Sequence, residues 1–142
     1  MSIEILQPAE WPRPKGYANG LAARGRMIFI AGQIGWDAQG KFAGDTLSEQ
    51  VEQSLRNIVR VLAEGKAEPR HLVRLTWYVT SREAYYRELR NIGAAYKAVL
   101  GRHFPVMSVV EVSALMEARA LVEIEATAVV PDEDSGGRLA PA

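Results

Sequence analysis

Three glutamates, Glu111, Glu123 and Glu125, fall inside apolar, β-branched stretches (HFPVMSVVEV, residues 103–112, and RALVEIEATAVV, residues 119–130) rather than on a helix surface. A carboxylate on a strand faces solvent, borders an interface or lines a cleft, and the local pattern favours solvent or an ion pair. In a cleft that excludes water its pKa rises, which suits general acid–base work. The two histidines, His71 and His103, lie in different segments, and neither has a metal-ligating neighbour at i+2, i+3 or i+4. Both therefore read as structural, and no metal site is expected. His103 also falls near a helix end, where a cation is welcome for dipole reasons alone. Arg102 and Arg119 flank the strands and read as solvated rather than as anion clamps.

Two glycine-bracketed segments could border a ligand. In GYANG (16–20), Tyr17 either closes a turn over the edge of the core or stands on a rim and stacks on a ligand; the local pattern favours the turn. AGQIG (31–35) lacks the GxxxxGK[ST] spacing of a phosphate loop and sits inside an apolar run, so Gln33 reads as a partner for backbone groups. Met107 alternates with Val109 and, taken alone, reads as core filler. The chain has no cysteine, which excludes a disulfide framework, a thiolate metal site and a cysteine nucleophile. No serine–histidine–aspartate arrangement is apparent. Residue types alone therefore stop at possible cleft carboxylates.

The elements that must position these groups are legible from periodicity. Pro8, Pro12 and Pro14 make residues 1–16 an extended or irregular lead-in. RMIFIAGQIG (26–35) reads as a buried strand with a bulge or close backbone approach at Gly32, followed by a turn in WDAQGKF and a short pairing segment. From Thr46, Val51, Leu55, Ile58, Val59 and Leu62 form one apolar stripe of a helix that stops near Gly65. LVRLTWYVT (72–80) alternates with period two, placing Val73, Leu75, Trp77 and Val79 on one face and Arg74, Thr76 and Tyr78 on the other. Thr80 and Glu83 predict a capping box for a second helix that runs to Gly101. Pro105 opens another strand, and residues 119–130 form the last, with Val122, Ile124, Ala126, Ala128 and Val130 on one face. Strand–helix–strand units require parallel neighbours and the terminal hairpins antiparallel ones, so the expectation is a two-layer α+β domain with a mixed sheet and two helices on one face. The other face would keep apolar groups such as Val109 and Leu121, so self-association is expected.

A chain of 142 residues is the size of one domain, here residues 1–130, with a frayed tail over 131–142. Lys+Arg and Asp+Glu both number 17, which gives no global attraction to nucleic acid or an acidic membrane. The N-terminus does not read as a signal peptide and no apolar run approaches the ~20 residues that span a bilayer, so a cytoplasmic location is expected.

The succession GYANG, MIFIAGQIGWDAQGKF, SEQVEQSLRNIVRVLAEGKAEPRHLVRLTWYVTS, HFPVMSVVEVSAL and LVEIEATAVV resembles the RidA (YjgF, or L-PSP endoribonuclease) family over roughly residues 15–130. The resemblance implies a chorismate-mutase-like α+β fold with a mixed six-stranded sheet, assembled as a homotrimer with ligand clefts between subunits. It also implies hydrolysis of 2-imino or enamine acids to the 2-oxo acid and ammonia, with no cofactor and no metal. In active members an arginine in a P-x-R-[ST] segment grips the substrate carboxylate, a final-strand glutamate positions the water, and a tyrosine near the N-terminus packs over the ligand. By that resemblance Glu123 is the catalytic glutamate and Tyr17 the tyrosine, with Ala31 and Val109 along the cleft. Met107 stands at the arginine position, as in the arginine-lacking subgroup. Imine/enamine deamination is therefore in question, a non-catalytic ligand-binding or chaperone-like role is the alternative, and ribonuclease activity is disfavoured by the neutral charge.

Overall fold

The computed structural model describes residues 3–132, in the order β1 (Ile3–Leu6), β2 (Gly20–Ala23), β3 (Arg26–Ile34), α1 (Leu47–Glu64), β4 (Leu72–Val79), α2 (Arg82–Arg87), α3 (Leu89–Leu100), β5 (Val106–Glu111) and β6 (Val122–Val130). Thr46 and Glu49 start α1 with a capping box. The Thr46 hydroxyl accepts from the Glu49 N–H, and the Glu49 carboxylate accepts from the Thr46 N–H, each at 3.3 Å. Of the α1 stripe, Val51, Leu55, Ile58 and Leu62 are fully buried, and Val59 is only partly buried against the core. Burying four such side chains stabilises by roughly 1.5–3 kcal/mol each, against about 1 kcal/mol for a cap. Packing, then, decides where α1 lies.

The main sheet runs β3–β6–β4–β5, with β5 parallel to β4 and the other neighbours antiparallel. Its core face (Leu75, Trp77, Val79, Val122, Ile124, Ala126) packs against α1 and α3. The structure is thus the expected mixed α+β arrangement with helices on one face.

Several expectations are corrected. The six strands do not form one regular ladder. β1 and β2 pair antiparallel as a separate two-stranded unit, joined to the β5 edge by a single bridge at Ala18–Val106. Residues 3–6 of the lead-in are therefore a strand, because the prolines fall after it, in the connection to β2. The pairing segment expected after WDAQGKF shrinks to one bridge, Trp36–Phe42. Its turn is held by the Asp37 carboxylate, which accepts from the N–H groups of Gln39 and Lys41.

The second helix is two helices, capped by Ser81 rather than Thr80 and interrupted at Glu88. The Glu88 carboxylate leaves its own helix to accept from the N–H groups of Leu47 (3.3 Å) and Ser48 (3.0 Å), capping α1 from a distant part of the chain. On β4, Leu72 rather than Val73 is buried, because the register shifts between Leu72 and Arg74. Val109 and Leu121 pack against the core instead of populating the helix-free face. The expected tail lies, beyond Asp132, outside the described residues.

Candidate functional site

The pleat of β4 sorts the candidate residues. Leu75, Trp77 and Val79 point toward the helices, and β5 runs in register beside them, with Met107 opposite Leu75 and Val109 opposite Trp77. Residues in one row share a face, so Met107 and Val109 lie on the helix side. There they line a cavity of about 870 Å³ with Tyr17, Trp77, Tyr96 and Phe104, bounded by α2, α3 and the loop before β2. Tyr17 and Met107 also border a smaller, more polar cavity of about 190 Å³ with Arg74, Thr76 and Ser108. Tyr17 is 42% exposed, so it stands on the rim rather than closing a buried turn.

Glu123 belongs to the other row. It lies opposite Tyr78 on β4, and Glu125 lies opposite Thr76, so both carboxylates face away from the helices. The Tyr78 hydroxyl donates to Glu125 Oε1 at 2.6 Å, and this bond, with burial and the nearby glutamate charges, holds the phenol above its usual pKa. The Glu123 side chain lies directly over the backbone of Gly32, where a Cβ would come within 2.6 Å of its Cδ. The β3 register shift expected at Gly32 is present between Ile30 and Gln33. Ala31 is exposed beside it, and Gln33 donates to the Ala31 carbonyl at 3.1 Å.

The five residues singled out by sequence therefore form two groups within one chain. Tyr17, Met107 and Val109 share a cavity on the helix side, while Ala31 and Glu123 sit together at the β3–β6 bulge on the opposite face. No described cavity brings the groups together.

The other candidates have local partners. Glu111 accepts from the Arg82 N–H at 2.6 Å, at the start of α2. Arg119 pairs with Asp45 at 2.9 Å and lies over the Phe42 ring. His103 Nε2 bonds the Leu72 carbonyl, and His71 Nδ1 accepts from the Glu68 N–H. Among the described residues no cluster of three metal-ligating side chains occurs, and no helix is long and apolar enough to cross a membrane. Sequence reasoning missed Tyr78 as the partner of Glu125, and the series of rings Trp77, Tyr96 and Phe104, stacked at 6.5 and 5.5 Å. The only sequence signal of the three rings was aromatic character in β4, in α3 and in the loop before β5.

Residues 11–130 match the endoribonuclease L-PSP family. The chain is 31% identical to a RutC family protein of Synechocystis over 92% of this chain and 99% of that protein. It is 30% identical to the 2-iminobutanoate/2-iminopropanoate deaminase of Salmonella typhimurium over 74% and 80% of the two chains. Its fold superposes on a Rid family protein of unknown function from Yersinia pestis with a TM-score of 0.79 at 33% identity, covering 91% of this chain and 99% of that one. The YjgF gene product of Escherichia coli gives a TM-score of 0.64 at 29% identity, over 80% and 87%. With both its sequence motifs and its helix-backed mixed sheet accounted for, the chain belongs to the endoribonuclease L-PSP (RidA/YjgF) family.

Proposed function

We propose that this chain is a cytoplasmic homotrimer that binds a small metabolite in clefts between its subunits and hydrolyses an imine or enamine there, without metal or cofactor. The observation that carries this reading is the separation of the two residue groups. Glu123 and Met107 occupy opposite faces of one sheet, so the site is complete only when one copy offers its Glu123 face to the Met107 edge of another. Phe29 and Val110, on the helix-free face and 72% and 43% exposed, supply apolar surface for such an assembly.

In the assembled cleft Glu123 holds a water against the imine carbon. The water oxygen bonds to that carbon while the C=N π pair moves to nitrogen, and one water proton passes by way of Glu123 to that nitrogen. In the resulting carbinolamine the hydroxyl proton passes to nitrogen, the C–N bond breaks with its electron pair on the departing ammonia, and a carbonyl remains. Tyr17 covers the ligand from the rim, and Ala31 and Val109 bound it.

Met107 sets the substrate preference. A substrate carboxylate beside this thioether lacks a two-pronged cationic partner, a loss of roughly 2–5 kcal/mol or about 30- to 4000-fold in affinity. Short 2-imino acids are therefore poor substrates, and the group next to the imine is uncharged. RNA cleavage is not part of this reading, because 17 basic and 17 acidic residues balance.

The test is ammonia release from 2-aminoacrylate and 2-iminobutanoate generated in place by a lyase, with wild type, Met107→Arg and Met107→Arg/Glu123→Ala compared. Slow wild type, a gain with arginine and loss of that gain without Glu123 support the proposal. Wild type as fast as Met107→Arg would overturn the role given to Met107, and a monomer by analytical ultracentrifugation would overturn the shared cleft.

A further inference from the structure

The Met107 cavity has an uneven charge distribution. Lys15, Lys97 and Arg102 line it, and no aspartate or glutamate does. Among the described residues none of these three cations makes an ion pair, whereas Arg56, Arg60, Arg70, Arg87 and Arg119 each hold a carboxylate. Positive charge above low-dielectric walls, with no counter-charge in the lining, focuses potential on an anion. A guanidinium also offers the planar fork that matches a carboxylate.

The remaining lining is aromatic and aliphatic apart from three glycines, and Tyr86 and Phe104 within it are 65% and 42% exposed. A volume of about 870 Å³ lies high in the ~300–1,000 Å³ range of pockets for drug-sized ligands. It is far larger than a three-carbon acid needs. Gly101 ends α3 with a φ of 70° and turns the chain so that Arg102 borders the cavity before β5 begins. Arg102 and Met107 are five positions apart in the chain, a distance of at most about 18 Å.

We infer that the cavity takes a carboxylate whose acid group is separated from its other end by an aromatic or similarly sized apolar body. Arg102 grips the acid with Lys15 and Lys97 beside it, and the body lies against Phe104 and Tyr96. The inference rests on the proposed reading of this cavity as one half of the ligand cleft, and it moves the anion anchor from position 107 to position 102.

Calorimetric titration of the full-length protein with 4-phenylbutyrate, its amide and pyruvate tests it. The acid is expected to bind about ten-fold or more tightly than the amide, the range of a charge-assisted hydrogen bond, and more tightly than pyruvate. Arg102→Gln brings the acid-to-amide ratio close to one, Arg102→Lys keeps part of it, and Arg119→Gln leaves it at the wild-type value. Equal binding of acid and amide by wild type overturns the anchor while leaving the cavity as a ligand site. An unchanged ratio in Arg102→Gln overturns the assignment to Arg102, and pyruvate binding as tightly as 4-phenylbutyrate overturns the apolar body. Binding of none of the three probes overturns both this inference and the reading of the cavity as a ligand half-site.

Discussion

Replacing Gln50 with leucine tests how the strand carrying Glu123 is held. Gln50 lies on α1 and is 1% exposed, and its amide makes three hydrogen bonds to backbone. Nε2 donates to the carbonyls of Gly44 (2.9 Å) and Arg119 (3.1 Å), and Oε1 accepts from the Leu121 N–H (2.8 Å), one residue before β6 begins. Leucine keeps the volume and removes all three bonds. The Gly44 and Arg119 carbonyls lie in loops and partly recover water, so each costs about 0.5–1 kcal/mol, while the Leu121 N–H, left without an acceptor, costs about 1–3 kcal/mol. Leucine's own burial offsets part of this, which leaves a net loss of about 2–3 kcal/mol. At ~2.1 cal/mol/K per residue, the unfolding entropy of 142 residues is about 0.3 kcal/mol/K, so the melting temperature should fall by about 7–10 °C. Melts at one fixed protein concentration, with amide exchange at Leu121, measure both effects. A shift under about 3 °C with Leu121 still protected would refute the idea that one side chain pins the entry to β6.

Three further outcomes are expected. Gly32→Ala places a methyl 2.6 Å from Glu123 Cδ and 2.7 Å from Cγ, so the glutamate must swing aside. Stability should change by no more than about 1.5 kcal/mol, while any turnover that needs Glu123 drops about 100-fold for a ~1 Å displacement; a large stability loss would show that the backbone, not the side chain, gives way. Glu88→Gln should cost about 1 kcal/mol at neutral pH as a lost cap on α1. Burial pushes this carboxyl up, but bonds from Ser48 and Leu47 and the nearby Arg87 charge outweigh it, and its pKa is lowered from 4.5. A lowered folded pKa stabilises above the unfolded value, so the gap between wild type and Glu88→Gln should shrink as pH falls below about 4.5, and a gap that persists in acid would contradict the cap. Glu125→Gln removes the main cause of the raised Tyr78 pKa, so alkaline titration at the tyrosinate absorbance should show one phenol ionising earlier than in wild type.

The Glu88 case shows why some elements were legible and others were not. The α1 stripe and the alternation in β6 are local repeats, so their faces could be assigned before any contact was known, and the stripe is buried as assigned except at Val59, which is partly buried. The break at Glu88 has no local mark, because its carboxylate serves the Leu47 and Ser48 N–H groups of a helix about 40 residues away. The shift that buries Leu72 in place of Val73 likewise depends on the register with β6 rather than on the residues of β4.

The candidate site divides in the same way. Residue type and order alone determined that Glu123 is a strand carboxylate, that Gly32 marks an irregularity and that no thiol chemistry is possible. Only the tertiary structure decided that Met107 and Glu123 lie on opposite faces of one sheet, that Arg119 is held by Asp45, and that Arg102 borders the Met107 cavity. Periodicity reports which residues of an element share a side. Which sides of different elements meet is set by strand register and helix docking, through contacts between residues far apart in the chain.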